Sequence, residues 1–393
     1  MALASLSLSA QGAEAVIRVG NRMSDFFDEV LKISDQIPVC FLLTSLSRHE
    51  STRGFVLDAN PYQHIVTLLS DKTTAGPALS TLRSIATCAR AVQGVLDAGA
   101  IHMILKFLES ADVELRRDAC GLIRSLVNYE STVWKEVRCA KLVRLLSDDD
   151  EGVVFEAMVA LSTIADSVDG AAAVVEAGAL NRVDEFLQSG CKRLSLTACI
   201  LLYNLADHNS KGTTQAILDV NPCPKIVLLL DLYRESPTYV RLLLRVLNSI
   251  VRSGVGARCV VEAGVLHVLG DLLQSSNHEV CWDACDLLSN LALDDLTLRA
   301  VLDSNHCQRL ITLLSLDATG PAALNALDSL ARSPQGTQAV LVVLPNILQS
   351  ADSFLKRVAC EFLNTLDFMT GTLSNANLLE RLITLLRCVS FVT

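Results

Sequence analysis

A short apolar phrase returns along this chain at an almost constant interval. It reads Val-Leu-Asp-Ala at 95–98, Val-Val-Glu-Ala-Gly at 174–178, and Val-Val-Glu-Ala-Gly again at 260–264. Looser copies begin at Val56, Val137, Ile217, Val301 and Val340, so successive starts lie 39, 42, 37, 43, 43, 41 and 39 residues apart. A period of about 40 residues constrains a chain strongly, because each unit is one supersecondary element that buries its apolar face only against its neighbours. The expectation is an all-α solenoid of about eight repeats. Residues 56–344 carry the array, 1–55 form degenerate or capping helices, and 345–393 form a degenerate closing repeat.

The unit from Val174 to Ala216 shows the plan. Val174-Val175-Glu176-Ala177 ends at Gly178, a residue free to take the positive φ of a sharp turn. Ala179 to Gln188 predicts a second helix with Leu180, Val183, Phe186 and Leu187 on one face. After Ser189-Gly190-Cys191, a longer third helix carries Leu194, Ala198, Leu201, Leu202 and Leu205 at helical spacing. The segment from Val260 repeats the plan through Gly264, the loop Ser275-Ser276-Asn277, and a helix around Ala284, Leu288 and Leu291. The unit at 137–173 is shorter, and its first helix is expected to shrink to a turn. Asn60-Pro61 and Asn221-Pro222 replace the usual glycine. Because the residue before proline is pushed away from the α region, the turn there must be built differently, and these units and the one with Asn305 are expected to keep it with altered geometry.

Composition agrees with such an array and excludes other classes. Hydrophobic residues make up 51% but aromatics only 5%, so the core is aliphatic. A mean hydropathy of +0.39 raises the question of a membrane span. The run from Ala339 to Leu348 is interrupted by Pro345 and Asn346 and falls short of the ~20 apolar residues that a span needs. With 33 basic against 43 acidic residues and a net charge of −10, general nucleic-acid binding is not expected. The 13 cysteines are odd in number and scattered, and the start lacks a basic n-region. Reduced thiols in the cytoplasm or nucleus are expected, and Ala2 rules out N-myristoylation.

The chain resembles the armadillo repeat family. Glu-Ala-Gly at 176–178 and 262–264, Asp-Ala-Gly at 97–99, and Asn-Leu-Ala at 204–206 and 290–292 carry the resemblance, which runs from about Val56 to about Leu344. It implies a right-handed α-α superhelix whose third helices line a concave groove that holds extended peptides. In family members that hold peptides, the Asn of Asn-Leu-Ala grips the ligand backbone. Here Asn204 and Asn290 keep it, whereas Ser84, Ser125, Thr163, Ser249, Ser329 and Thr365 stand in the same column. Four residues earlier, where import receptors for nuclear localisation signals carry Trp, stand Ser80, Gly121, Val159, Ile200, Arg245, Asp286, Asn325 and Glu361. An import receptor is therefore not expected.

Positions eight, four and one before that anchor share its helical face. The column at minus eight holds Gly76, Arg117, Phe155, Leu196, Arg241, Trp282, Pro321 and Arg357; that at minus one holds Arg83, Arg124, Ser162, Tyr203, Asn248, Ser289, Asp328 and Asn364. Together the columns predict an apolar middle (Phe155, Val159, Leu196, Ile200, Tyr203) rimmed by Arg83, Arg117 and Arg124 on one side. Arg241 and Arg245 rim the other side, followed by Trp282. An apolar patch with guanidiniums at its edge is how a binding hot spot is built, so Arg83, Arg117, Arg124, Phe155, Leu196, Ile200, Tyr203, Asn204, Arg241, Arg245, Asn248, Trp282 and Asn290 are the candidate partner-binding residues. The partner would be an extended or helical protein segment with hydrophobic side chains flanked by Asp, Glu or phosphate. The competing reading packs these side chains between adjacent third helices; one residue of register error turns the face by ~100°.

Chemistry is sparse. His278, Cys281 and Cys285 share a helix face but offer no second knuckle for zinc, so core cysteines are expected. Asp148-Asp149-Asp150-Glu151-Gly152 lacks the alternation of a calcium loop and precedes a helix, where acids cap. Ser210-Lys211-Gly212-Thr213 lacks the spacing of a phosphate loop, and no G-x-S-x-G elbow occurs. No metal, cofactor or enzymatic activity is expected. The function expected is that of a protein-binding scaffold or adaptor. The alternatives are a regulator that clasps a folded partner such as a small GTPase or a motor, or a substrate-recruiting subunit of a ubiquitin-ligase complex. Self-association through the apolar end from Leu382 to Val392 stays open.

Overall fold

The computed structural model describes residues 2–20, 26–208, 211–314, 316 and 318–340, and every regular element among them is helical. The expectations placed on 341–393, including the closing repeat, Arg357, Glu361, Asn364, Thr365 and the apolar end, lie outside the described residues. The chain divides into two compact bodies, residues 1–183 with 191–204, and residues 184–190 with 205–393.

In the first body the plan starts before Val56. Ala10–Gly20, Phe26–Leu31 and Gln36–Arg48 make a first, second and third helix. Glu50–Asp58, Tyr62–Leu68 and Ala75–Ile85 follow, then Ala89–Asp97, Ile101–Phe107 and Val113–Tyr129. In the next repeat a 3-10 turn, Ser131–Lys135, stands where a first helix would be, followed by Cys139–Leu145 and Glu151–Ile164. The third helices pack in succession, Gln36–Arg48 on Ala75–Ile85, that on Val113–Tyr129, and that on Glu151–Ile164. The boundary between bodies falls within the repeat made of Val168–Glu176, Leu180–Gln188 and Lys192–Asp207.

The second body repeats the arrangement. Its repeats are Lys211–Val220, Cys223–Leu232 and Pro237–Val251; then Gly254–Glu262, Val265–Leu272 and His278–Ala292; then Asp295–Asp303, Cys307–Leu314 and Gly320–Ala331. A further first helix begins at 334. Here too Pro237–Val251 packs on His278–Ala292 and that on Gly320–Ala331.

The recurring phrase marks the buried end of each first helix. Val56, Val95, Val137, Val174, Ile217, Val260, Val301 and Val340 are all at most 2% exposed. After it the chain must turn sharply. Gly99, Gly178 and Gly264 do so at φ 73, 82 and 86°. The units with Asn keep the turn: Asn60, Asn221 and Asn305 hold the left-handed region at φ 45, 49 and 54°, somewhat smaller than at the glycines. Proline obstructs the right-handed α region of the residue before it, while the short Asn side chain tolerates the left-handed one. The repeat with Val137 reaches its second helix through Arg138, at φ −57 and ψ 102°, after a first helix reduced to the 3-10 turn.

A second joint, from third helix to next first helix, has its own signature. Ser9, Ser167, Ser253 and Ser333 accept from the backbone N–H of Gly12, Gly170, Gly256 and Gly336 at 3.1, 3.1, 3.1 and 2.9 Å. A Cβ on these glycines would lie 1.8–2.0 Å from the carbonyl oxygen of Leu6, Ile164, Ile250 or Leu330. In other joints Thr52 and Thr297 donate their hydroxyls to the corresponding carbonyls of Leu46 and Leu291. The contrast gives a test. Gly256→Ala should destabilise the protein by about 1–3 kcal/mol through forced backbone displacement. Gly54→Ala, inside Glu50–Asp58 with nothing within 4 Å of the added carbon, should stabilise by about 0.5–1 kcal/mol. Urea unfolding measures both, and a Gly256→Ala protein as stable as the parent would refute the close-approach account.

Candidate protein-binding surface

In each body the third helices expose an edge, and the expected columns lie along it. Arg83, Arg117, Arg124, Phe155, Leu196, Tyr203, Asn204, Arg241, Asn248 and Asn290 are partly accessible, and Ile200, Arg245 and Trp282 are exposed. The next turns of the same helices, such as Leu201, Leu202 and Leu205, or Leu287, Leu288 and Leu291, are buried.

Most polar members of these columns are engaged across the stack, one repeat to the next. In the first body Arg83 pairs with Asp118 at 2.8 Å on the following third helix and with Glu156 on the one after that. Gly121 makes room for this reach: a Cβ there would lie 2.4 Å from Arg83 Nε. Arg117 pairs with Glu114 at 2.9 Å and with Asp150 at 3.0 Å, passing over Gly152 in the same manner. Phe155 lies under the Arg193 guanidinium, 3.4 Å from its ring centroid. Asn204 donates through Nδ2 to the Ser162 carbonyl at 2.8 Å.

The second body is stitched similarly. Arg241 pairs with Asp283 at 2.9 Å and with Glu279, both on the next third helix. Asn290 Nδ2 donates to Asn248 Oδ1 at 2.7 Å, and the Ser289 and Ser329 hydroxyls share a hydrogen bond of 2.8 Å. Arg245 is more loosely placed, 3.9 Å from Asp283 and with a side chain 53% exposed. The guanidiniums of Arg83, Arg117 and Arg241, expected to hold a partner's carboxylates, thus hold carboxylates of neighbouring repeats. Arg124 and Arg245 are less engaged: no ion pair of Arg124 occurs among the described residues.

The electrostatics follow this stitching. Burial pushes the Asp118 carboxyl up, against the opposing pull of Arg83. Burial and the neighbouring charge of Asp283 raise Asp286, whereas a hydrogen bond from Trp282 lowers it. In the acidic loop, the hydrogen bond from Arg116 holds Asp148 below the usual carboxylate range, and that from Arg117 does the same for Asp150.

Comparison with known proteins places this geometry. Residues 256–293 match the model of the Armadillo/beta-catenin-like repeat. That stretch carries an armadillo-type repeat, and the repeats around it follow the same helical plan. The crystal structure of an engineered protein is similar over 93% of both chains, with a TM-score of 0.82 and 24% identity, which speaks for the fold alone. Two further engineered proteins are 27% identical over 58% of this chain, at TM-scores of 0.55 and 0.54, and are covered over 96% and 98% of their own lengths. No curated protein sequence matches. The armadillo-type solenoid is a fold commonly used as a protein-interaction scaffold, and no helix among the described residues is long and apolar enough to cross a membrane.

Several armadillo-type features carry structural work in place of chemistry. Asp150 caps Glu151–Ile164 by accepting from Val153 N–H, as expected for an acidic loop before a helix. Cys281 and Cys285 are buried, and the Cys281 thiol donates to the Ser275 carbonyl at 3.2 Å. Residues that a single-helix reading misses are the partners: Asp118, Glu156, Arg193 and Asp283. Their signal was opposite charge, or an aromatic ring and a cation, at an offset close to one or two repeats.

Arg116 binds Asp148 through two nitrogens at 2.7 and 2.9 Å, with side chains 15% and 8% exposed. Asp148→Asn should cost about 1.5–3 kcal/mol at neutral pH. Because the folded carboxyl titrates below its ordinary value of 3.8, this stabilisation is complete above that value and is lost as pH falls through the folded pKa. The difference in urea-unfolding free energy between wild type and Asp148→Asn should therefore shrink below about pH 4; a difference independent of pH would contradict the ion-pair assignment.

Proposed function

We propose that this chain is a non-enzymatic scaffold or adaptor, cytoplasmic or nuclear, which holds segments of other proteins along the accessible edges of its third helices. One observation carries the reading. Along those edges the chain leaves large apolar side chains in water, Ile200 36% exposed in the first body and Trp282 37% in the second, where Arg245 is 53% exposed and only loosely paired, 3.9 Å from Asp283. Exposed aromatic and aliphatic groups next to available arginines are the composition of binding hot spots. A chain of net charge −10 is poorly suited to nucleic acid, so the partner is a protein segment.

The test uses two variants, one in each body: Ile200→Asp, and Arg245→Glu with Trp282→Ser. Circular dichroism confirms unchanged helicity, and proteins captured from native lysate are compared with those captured by the wild type. Recovery of the principal partners should fall about tenfold with at least one variant. Full retention by both would move the working surface away from the third-helix edges. Capture that depends on added guanine nucleotide would favour a clasp around a GTPase, and co-purifying ubiquitin-ligase subunits would favour a recruiting role.

A further inference from the structure

The third-helix edge of the first body continues toward the N-terminus, where it opens into a pocket of about 360 Å³. Burial sets the register there. Val39, Cys40, Leu42, Leu43 and Leu46 are buried in Gln36–Arg48 as Ala78, Leu79, Thr81, Leu82 and Ile85 are in Ala75–Ile85. Phe41 therefore occupies the column position of Ser80, four before the anchor. It is 51% exposed and lines the pocket together with Leu8, itself 70% exposed, and Pro77.

Two features specify what such a pocket takes. Of its lining hydroxyls, that of Thr44 is already hydrogen-bonded at 2.9 Å to Thr81, which also donates to the Pro77 carbonyl. Leu8, Phe41 and Pro77 give the lining an apolar face that an apolar side chain fits. Arg48 is the one charged residue in the lining. Arg83, Arg117 and Arg241 farther along the edge are held by internal carboxylates, but Arg48 makes no ion pair among the described residues. Its exposed guanidinium is available to an external carboxylate.

We propose that this pocket binds a protein segment in which a large apolar side chain stands next to Asp or Glu, the apolar group entering between Phe41, Leu8 and Pro77 and the carboxylate pairing with Arg48. The proposal rests on the reading of the third-helix edge as the partner surface and adds the end at which the partner is anchored. A cationic segment is disfavoured by Arg48, and a wholly apolar one would leave the guanidinium unused.

The probe is a fluorescein-labelled peptide, Glu-Asp-Phe-Leu-Asp-Glu, followed by fluorescence anisotropy on the full chain. Matched peptides replace its acids by Lys or its Phe-Leu pair by Ser-Ser. The acidic apolar peptide should bind, and affinity should fall about tenfold or more with Arg48→Glu, with either control peptide, and with Ser80→Trp, which fills the pocket. Added salt should weaken it, since the arginine is exposed. Arg48→Lys should retain part of the affinity, showing that charge and not fold was removed. Binding that survives Arg48→Glu and Ser80→Trp but is lost with Arg245→Glu and Trp282→Ser would overturn the pocket while leaving the third-helix edge as the partner surface. No binding of the acidic peptide to the wild type would overturn the pocket chemistry as well, and the lysate captures would then judge the wider edge independently.

Discussion

Within each body a third helix packs against the third helix of a neighbouring repeat, which supplies much of the core that one helix lacks. Everything else is arranged so that this stacking can recur. Left-handed residues at 60, 99, 178, 221, 264 and 305 return the chain from first to second helix. The Ser-x-x-Gly joints at 9–12, 167–170, 253–256 and 333–336 bring a first helix so close to the preceding third helix that no side-chain carbon fits. Both joints fix backbone directions, and the aliphatic core then has only small adjustments left to make. A solenoid of this kind is stabilised by intrinsic repeat terms and nearest-neighbour terms, so an error at one joint is confined to its own repeat and the neighbours in contact with it.

Stacking also decides the fate of polar groups on the exposed edge. Side chains on successive third helices lie within reach of each other, so the edge becomes a set of rungs: Arg83 to Asp118 and Glu156, Arg117 to Asp150, Arg241 to Asp283, and Asn290 to Asn248. A half-buried guanidinium is costly without a counter-charge, and a chain with 43 acids against 33 bases has carboxylates to supply one. The rungs hold the edge in one arrangement before any partner arrives, which lowers the ordering cost of binding.

Much of this was legible before the fold was known, and for identifiable reasons. The buried valines were visible because they recur at one period, and the face of each third helix was visible because helical periodicity is local. Asn60, Asn221 and Asn305 were harder. Asn60 and Asn221 precede prolines, and Asn305 simply replaces the glycine, yet all three residues take over the left-handed glycine conformation. The arginines were read on the right face but with the wrong partner: a one-helix projection shows what Arg241 points toward solvent with, and nothing of Asp283, which lies 42 residues on. Opposite charges separated by about one repeat are a pattern that a column-by-column reading cannot register, because the two members sit in different columns.

This last point changes what an exposed column means in a stacked repeat. Residues that look alike by column divide into those spent on the stack and those left over, and only a comparison across repeats separates them. Arg83 and Arg48 illustrate the division. Both lie on the accessible side of a third helix, but the first reaches two neighbours through the gap at Gly121, whereas the second makes no such pair among the described residues. On the function proposed above, recognition would use the second kind, because engaging the first would require breaking a rung and leaving a largely buried carboxylate such as Asp118 or Asp283 without its cation. The stack therefore limits where a partner can be gripped. Sites are expected at repeats where the internal partner is missing, and the strength of the stitching elsewhere is what makes those gaps specific.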